Sequence, residues 1–283
     1  MTPLAVRFRA ARRQATIAAA VVAAVILAAG CRTAAPERQT GADIALTFVQ
    51  ITDTHLGVGG HRQITAEVVD LVNRLPMPIA CVVHTGDIVA DQMDQTNIVA
   101  DLAEFGRLKA PVHYIPGNHD ILDKRFESTF RAYTNWFGST CSRAEYGGVV
   151  FLFADLRPES QAGGPGDADP LDWLEGELKT TGGKPVLLFQ HYPGVDDFHH
   201  NQFHPAWSNE GRRQRWLRLV NSGNVKAVIA GHFHRDELHW LGGVPLYVAQ
   251  PVARFWGRQP SFRVYEYRNG RLSYWTVYVE ESP

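Results

Sequence analysis

The chain has 283 residues, 45% of them hydrophobic, with 28 basic and 29 acidic side chains. That length and apolar content can bury a sizeable core and exclude a disordered chain, and three cysteines are too few for a disulfide-stapled miniprotein. Without the first thirty residues, which hold four arginines and no acid, 24 basic side chains face 29 acidic ones, so the remainder lacks the basic excess usual in nucleic-acid-binding domains.

Arg7, Arg9, Arg12 and Arg13 precede an apolar run from Ile17 that ends in Leu27-Ala28-Ala29-Gly30-Cys31. Charged, then apolar, then small residues is the order of a secretory signal peptide, here over residues 1–30. The run would reach only about 20 Å as a helix, short of the roughly 30 Å hydrocarbon core. Small residues before a cysteine resemble the lipobox of bacterial lipoproteins, in which the cysteine is acylated and begins the mature chain. Ala28 stands where leucine is commoner. The expectation is an exported lipoprotein facing periplasm or cell exterior, with the membrane as partner through a lipidated Cys31. An ordinary cleaved signal and an uncleaved anchor are the alternatives. Residues 31–43 read as a tether. In an oxidising compartment Cys81 and Cys141 could pair, but Cys81 sits in an apolar run and reads as buried and unpaired.

From residue 44 onward short apolar runs alternate with helix-compatible stretches, and the runs close in polar or glycine-containing clusters, which implies α/β layering. Strands are predicted over 45–52, 79–85, 112–116, 149–154, 185–191 and 225–230, and helices over 63–74, 96–108, 169–179 and 211–221. The stretch 161–170 reads as a glycine-rich loop. Beyond Gly231, β-branched and aromatic residues surround Asn269-Gly270, a two-residue hairpin signal, and 244–279 is predicted to form antiparallel strands that finish a second sheet.

The polar residues fall where these strands end. Asp53 and His55 follow the first, Asp87 the second, and Asn118, His119 and Asp120 the third; His191 closes a later strand, and His232 and His234 follow the last alternating one. In open α/β sheets sites form beyond the carboxyl ends of strands. One such aspartate would be turn chemistry and one such histidine a satisfied core or surface residue, but five clusters of metal-ligand type at the same kind of position point to a metal site. Mixed carboxylate, imidazole and amide donors suit manganese, iron, zinc or cobalt ions.

Asp53-Thr54-His55, Gly86-Asp87, Gly117-Asn118-His119-Asp120, His191 and Gly231-His232-Phe233-His234 together resemble the motif set of the calcineurin-like metallophosphoesterases, in order and approximate spacing from Phe48 to Arg235. The resemblance implies an α/β fold over 44–283, a sandwich of two β-sheets flanked by helices, and hydrolysis of phosphate esters with two divalent metal ions. It places Asp53, His55 and His234 on one ion and Asn118, His191 and His232 on the other, with Asp87 bridging and a hydroxide between the metals as nucleophile. His119 would face the leaving-group oxygen as general acid or hydrogen-bond donor, with Asp120 orienting its ring. Gly117 would let the backbone turn sharply so that Asn118 faces the metals and His119 the substrate. The pattern is similar to the cyclic-nucleotide and glycerophosphodiester branch, so small phosphodiesters are the expected substrates. A phosphomonoesterase or nucleotidase, a nuclease and a metal-free scaffold are the rivals. Ala90 stands where the purple acid phosphatases carry a tyrosine ligand, which argues against a tyrosinate-bound ferric site.

His84 reads as a hydrogen-bonded strand residue. His199, His200 and His204 form either a specificity loop or a solvated polar one, Arg235 and Arg254 are arginines that could reach a phosphate, and Trp216 and Leu217 read as core.

Overall fold

The structure, a computed structural model, describes residues 45–157, 169–197 and 204–280. The signal and tether expectations, most of the 161–170 loop, His199 and His200 lie outside them. In chain order the first half comprises β1 (Ala45–Ile51), α1 (His61–Asn73), β2 (Val82–His84), α2 (Val99–Leu102), β3 (Val112–Tyr114), α3 (Phe126–Phe137), β4 (Ser142–Tyr146) and β5 (Val149–Phe153). The second half comprises α4 (Pro170–Lys179), β6 (Val186–Phe189), α5 (Glu210–Ser222), β7 (Val225–Ala230), β8 (Glu237–Leu241), β9 (Val244–Val248), β10 (Ser261–Arg268) and β11 (Arg271–Tyr278).

Two sheets form, one ordered β11-β10-β1-β2-β3 and the other β4-β5-β6-β7-β9-β8. The predicted α/β sandwich is therefore the observed fold. Strands buried on both faces are continuous apolar runs, as in β5 (VVFLF) and β6 (VLLF). Between the sheets Phe48, Val83, Ile115 and Tyr265 meet Phe151, Phe189 and Ile229. Phe48 stacks on Tyr265 at 5.0 Å and meets Phe151 and Phe189 edge-on. Helix α1 covers the outer face of the first sheet through Val68 and Val72, and α4 and α5 cover the second through Leu174, Trp216 and Val220. Trp216 is core, as predicted.

The C-terminal strands depart from expectation. β9 runs parallel to β7 in the six-stranded sheet, whereas β10 pairs antiparallel with β1 from Ala45↔Arg268 to Gln50↔Arg263 and so completes the first sheet. The hairpin signal does mark a turn: β10 and β11 close at Arg268↔Arg271, with Asn269 at φ 51° and Gly270 at φ 76°, both positive as a type I′ turn requires. The helix predicted over 96–108 is broken into α2 flanked by 3₁₀ turns. α3 and β4 were not predicted. The α3 sequence, FESTFRAYTNWF, is rich in aromatic and hydroxyl residues of weak helix propensity, and its packing rests on Thr129 and Tyr133, four residues apart on one face.

Cys81 is fully buried between the sheets, and no disulfide joins it to Cys141. Burial pushes its thiol up to about 12, with the Tyr146 hydroxyl opposing only in part. A thiol reagent at pH 8 should leave Cys81 unmodified in the native protein and label it after denaturation, as read by peptide mass mapping. Labelling under native conditions would mean that this strand opens.

Candidate active site

β1, β2 and β3 are parallel, as are β5, β6, β7 and β9, so the loops that follow β1, β2, β3, β6 and β7 can converge beyond their carboxyl ends. Backbone bonds lock these loops together. The N–H groups of Asp53, His55 and Leu56 donate to the carbonyls of Gly86, Asp87 and Ile88, and that of Gly231 to His191. Beneath them the buried Gln50 amide donates to Thr85 Oγ1 and to the Ala230 carbonyl, both at 2.9 Å, tying the ends of the two sheets to each other.

Asp53, His55, Asp87 and His234 form one group, and Asp87, His191 and His232 another, with one donor atom of each residue within 4.8 Å of the others in its group. Asp87 is common to both. Its Oδ2 lies 3.7 Å from His55 Nε2 and 3.4 Å from His191 Nε2, and its Oδ1 accepts the His119 N–H at 2.9 Å. Asn118 joins the second group, with Oδ1 3.2 Å from His191 Nε2. His232 faces His191 Nε2 through Nδ1 at 3.2 Å, while His55 and His234 face each other through Nε2, also at 3.2 Å. All seven residues assigned to metal from sequence are thus brought together.

The residues present fit metal ions. His234 Nδ1 is buried without a hydrogen-bond partner, and the buried Asp53 Oδ1 lies 3.1 Å from His234 Nε2, a carboxylate–imidazole pair whose negative charge a neighbouring cation would offset. Burial lowers His55 to about 4 despite Asp87 and Asp53, and it holds His232 well below its usual range with His191 adding to the effect, so both rings present lone pairs. His191 goes the other way. Burial would lower it, but the Asp87 charge and hydrogen bond raise it to about 9, so the cluster draws positive charge toward itself. Its Nδ1 meets the Thr85 carbonyl at 2.7 Å, which aims Nε2 at the centre. Burial also works to raise Asp53, yet His234 outweighs it and holds that carboxyl at about 2. Asp53 Oδ2 accepts from Thr52 Oγ1 at 2.6 Å and from the His232 N–H at 3.2 Å.

Backbone strain collects at the same place. Asp53, His55, Asp87, Asp91, His232 and His234 all have positive φ, between 43° and 71°. Gly117 is required for a different reason from the one expected, because an added Cβ would lie 2.1 Å from Asp87 Oδ1 and 2.3 Å from its N. The glycine admits the Asp87 carboxylate rather than an unusual dihedral.

His119 lies beside the first group, its ring 4.9 Å from that of His55 and its side chain 38% exposed, so it faces the mouth. The residue that holds it is not the one predicted. His119 Nδ1 is 2.8 Å from Asp91 Oδ1, and the Asp91 N–H returns a bond to the His119 carbonyl. Asp120 is fully buried and turned away: its oxygens accept from the Val89 N–H at 3.0 Å and the Gly117 N–H at 2.8 Å. It fastens the loops after β2 and β3. Burial first, and the Asp87 charge second, push its carboxyl up to about 7 against those backbone donors. Asp91→Asn should therefore cut turnover about 10- to 100-fold, the usual loss when an orienting partner is removed, with metal content and Tm retained. Asp120→Ala leaves two buried N–H groups unpaired at about 1–3 kcal/mol each and should chiefly lower Tm in a thermal melt. The reverse pattern would restore Asp120 to the role expected of it.

The remaining candidates divide. His84 is a structural tie: the Gly86 N–H donates to its Nδ1, and its Nε2 meets Thr54 Oγ1 at 3.0 Å. His204 stacks on Tyr192 and sets its ring 4.5 Å from His232, beside the second group, where burial and then His191 lower it to about 4. Arg235 pairs with Asp197 and Glu237 and lies over Phe233, and Arg254 lines a cleft next to Phe255.

Two sets of imidazole and carboxylate donors sharing one aspartate at the strand ends of a two-sheet sandwich define a metal-dependent hydrolase site. The chain belongs to the calcineurin-like phosphoesterases: that family's profile matches residues 46–236, well over half of its length. It is accordingly an enzyme, a metal-dependent phosphoric ester hydrolase. It is 29% identical over 203 residues to the glycerophosphodiester phosphodiesterase GpdQ of Enterobacter lignolyticus, covering 67% of this chain and 71% of the relative. It is 24% identical over 269 residues to a 3',5'-cyclic-nucleotide phosphodiesterase of Nostoc, covering 85% and 94%. Among solved structures, a purple acid phosphatase from yellow lupin matches at a TM-score of 0.55 and 14% identity, over 81% of this chain and 51% of the lupin chain, a likeness of fold alone.

Proposed function

We propose that the enzyme hydrolyses small phosphodiesters at a dinuclear metal centre, with Asp53, His55, Asp87 and His234 holding one ion and Asp87, Asn118, His191 and His232 the other. The observation that carries this reading is Asp87 Oδ2 lying within 3.7 Å of a ligand nitrogen in each group. When bound, a pair of divalent cations supplies positive charge for the phosphoryl oxygens and makes water nucleophilic at neutral pH. The chain's own contribution is to fix the donors and to place a proton at His119 Nε2, the nitrogen left over when Nδ1 bonds Asp91. From there it passes to the departing ester oxygen.

Preference for diesters is supported by the two relatives named as phosphodiesterases and by the arginines near the site. Arg235 is engaged by Asp197 and Glu237, so the positive charge it would offer a doubly charged monoester is already compensated. The test is to reload the metal-stripped protein with manganese, count bound ions by elemental analysis, and compare kcat/KM for cyclic nucleotides, glycerophosphodiesters and phosphomonoesters. One ion or fewer would remove the dinuclear reading, and higher constants for monoesters would remove the substrate class.

Residues 1–31 support export and acylation at Cys31, which would make the membrane a partner of the enzyme. No helix among the described residues is long and apolar enough to cross a membrane. Mass spectrometry of the mature N-terminus should find a lipidated Cys31, and an unmodified one would retire the anchor.

A further inference from the structure

Trp256 is 76% exposed, beside a metal-ligand residue: its ring lies 5.2 Å from that of His234. It also has φ 53°. Among the described residues eight non-glycine residues have positive φ. Six belong to the ligand groups or the His119–Asp91 pair, Asn269 makes the β10–β11 turn, and Trp256 is the eighth. A bulky side chain in the left-handed region is a real outlier, and an indole left in water forgoes the burial that such a ring ordinarily contributes. Both costs fall on one residue at the edge of the site.

The segment carrying it is referenced to the metal-ligand residues. The Ala253 N–H donates to the Asp53 carbonyl at 3.0 Å, and the Arg258 guanidinium donates to the His234 carbonyl. Phe255 stacks on His234 at 5.3 Å and meets His55 and His61 edge-on at 4.9 and 5.2 Å. Trp256 packs on Phe255 at 5.4 Å, and Phe255 also walls a cleft of about 520 Å³ with Val58, Ile64, Arg254 and Pro260. The indole is therefore held in place while much of its surface stays open. Ring contacts run in series from Trp256 to His234 at 5.2 Å, from His234 to His55 at 5.1 Å and from His55 to His119 at 4.9 Å.

We propose that Trp256 is the aromatic wall that receives the second organic arm of a phosphodiester, the arm retained on phosphorus when the other departs beside His119. This rests on the diesterase reading of the site. A diester whose phosphoryl group sits at the ligand groups has one arm at His119 and must put the other elsewhere. A fixed, exposed indole next to His234 offers that arm a flat apolar face, best matched by an aryl or heteroaryl group. A monoester has no such arm and gains nothing from it.

Three substrates with the same p-nitrophenolate leaving group separate the possibilities in the metal-loaded full chain: bis(p-nitrophenyl) phosphate, methyl p-nitrophenyl phosphate and p-nitrophenyl phosphate. Trp256→Ala should raise KM for the first by about three- to tenfold, the range of one aromatic pair, with kcat held and little change on the other two. Trp256→Phe should recover most of the loss. Trp256→Gly, which suits the left-handed backbone, should behave as the alanine variant and guards against a folding defect. Equal effects on all three esters, or none on any, would overturn the wall while leaving the diesterase intact. A wild-type protein that hydrolyses neither diester, whether or not it hydrolyses the monoester, removes the diesterase reading and this inference with it.

Discussion

Asp87→Asn should reduce kcat/KM by about 10³-fold or more, the scale of losing a group that stabilises transition-state charge, and should lower the metal content of both sites together. The asparagine keeps the size of the side chain and leaves an oxygen to accept the His119 N–H, now 2.9 Å from Oδ1, so the loop can keep its shape. It loses the charge. Because Asp87 belongs to both groups, one substitution removes a negatively charged donor from each. Replacing a residue confined to one group, such as Asn118 or His234, should leave the other ion in place and cost less. Elemental analysis with a thermal melt on each variant makes the comparison. An Asp87→Asn protein that still binds two ions and works within tenfold of the wild type would show that the shared position of Asp87 has no functional weight.

The candidate ligand set was legible in the sequence because its members follow strand ends, and a strand can be read from a short apolar run closed by polar or glycine-containing residues. Asp53, Asp87, Asn118, His191 and His232 come from five loops, yet the rule that sites form beyond parallel strand ends puts them in one place without knowledge of the strand order. Asp91 was not legible. It sits four residues after Asp87 on a turn whose direction depends on its φ of 67°, and only the folded loops reveal that it, not the chain neighbour Asp120, meets His119. Sequence adjacency misled here because consecutive residues at a sharp turn point apart. The placement of β10 failed for a related reason. Its aromatic and β-branched residues before Asn269-Gly270 show that it is a strand, but pairing with β1 joins residues more than two hundred positions apart, and no local pattern encodes that partner. Trp256 carries an ordinary aromatic letter, and its left-handed backbone lies between Ala253 and Arg258, whose bonds to the Asp53 and His234 carbonyls no local pattern encodes.

His119→Ala should slow esters with alkoxide leaving groups by about 10²- to 10⁴-fold, the usual range for a positioned general acid, while p-nitrophenyl esters lose far less. A p-nitrophenolate is stable enough to depart without a proton, whereas an alkoxide is not, so the size of the loss should follow the basicity of the leaving group. The geometry supports this division. His119 is an imidazole at the mouth that belongs to neither ligand group, and one nitrogen is occupied by Asp91 while the other remains for the substrate. Its surroundings favour the charged form: burial opposes it, but Asp87 and Asp91 together raise the ring above its usual range. A plot of log kcat/KM against leaving-group pKa should therefore be steeper for His119→Ala than for the wild type, and Asp91→Asn should fall between the two. Parallel lines, displaced by a constant factor, would assign His119 to binding the phosphoryl group instead of protonating the oxygen that leaves it.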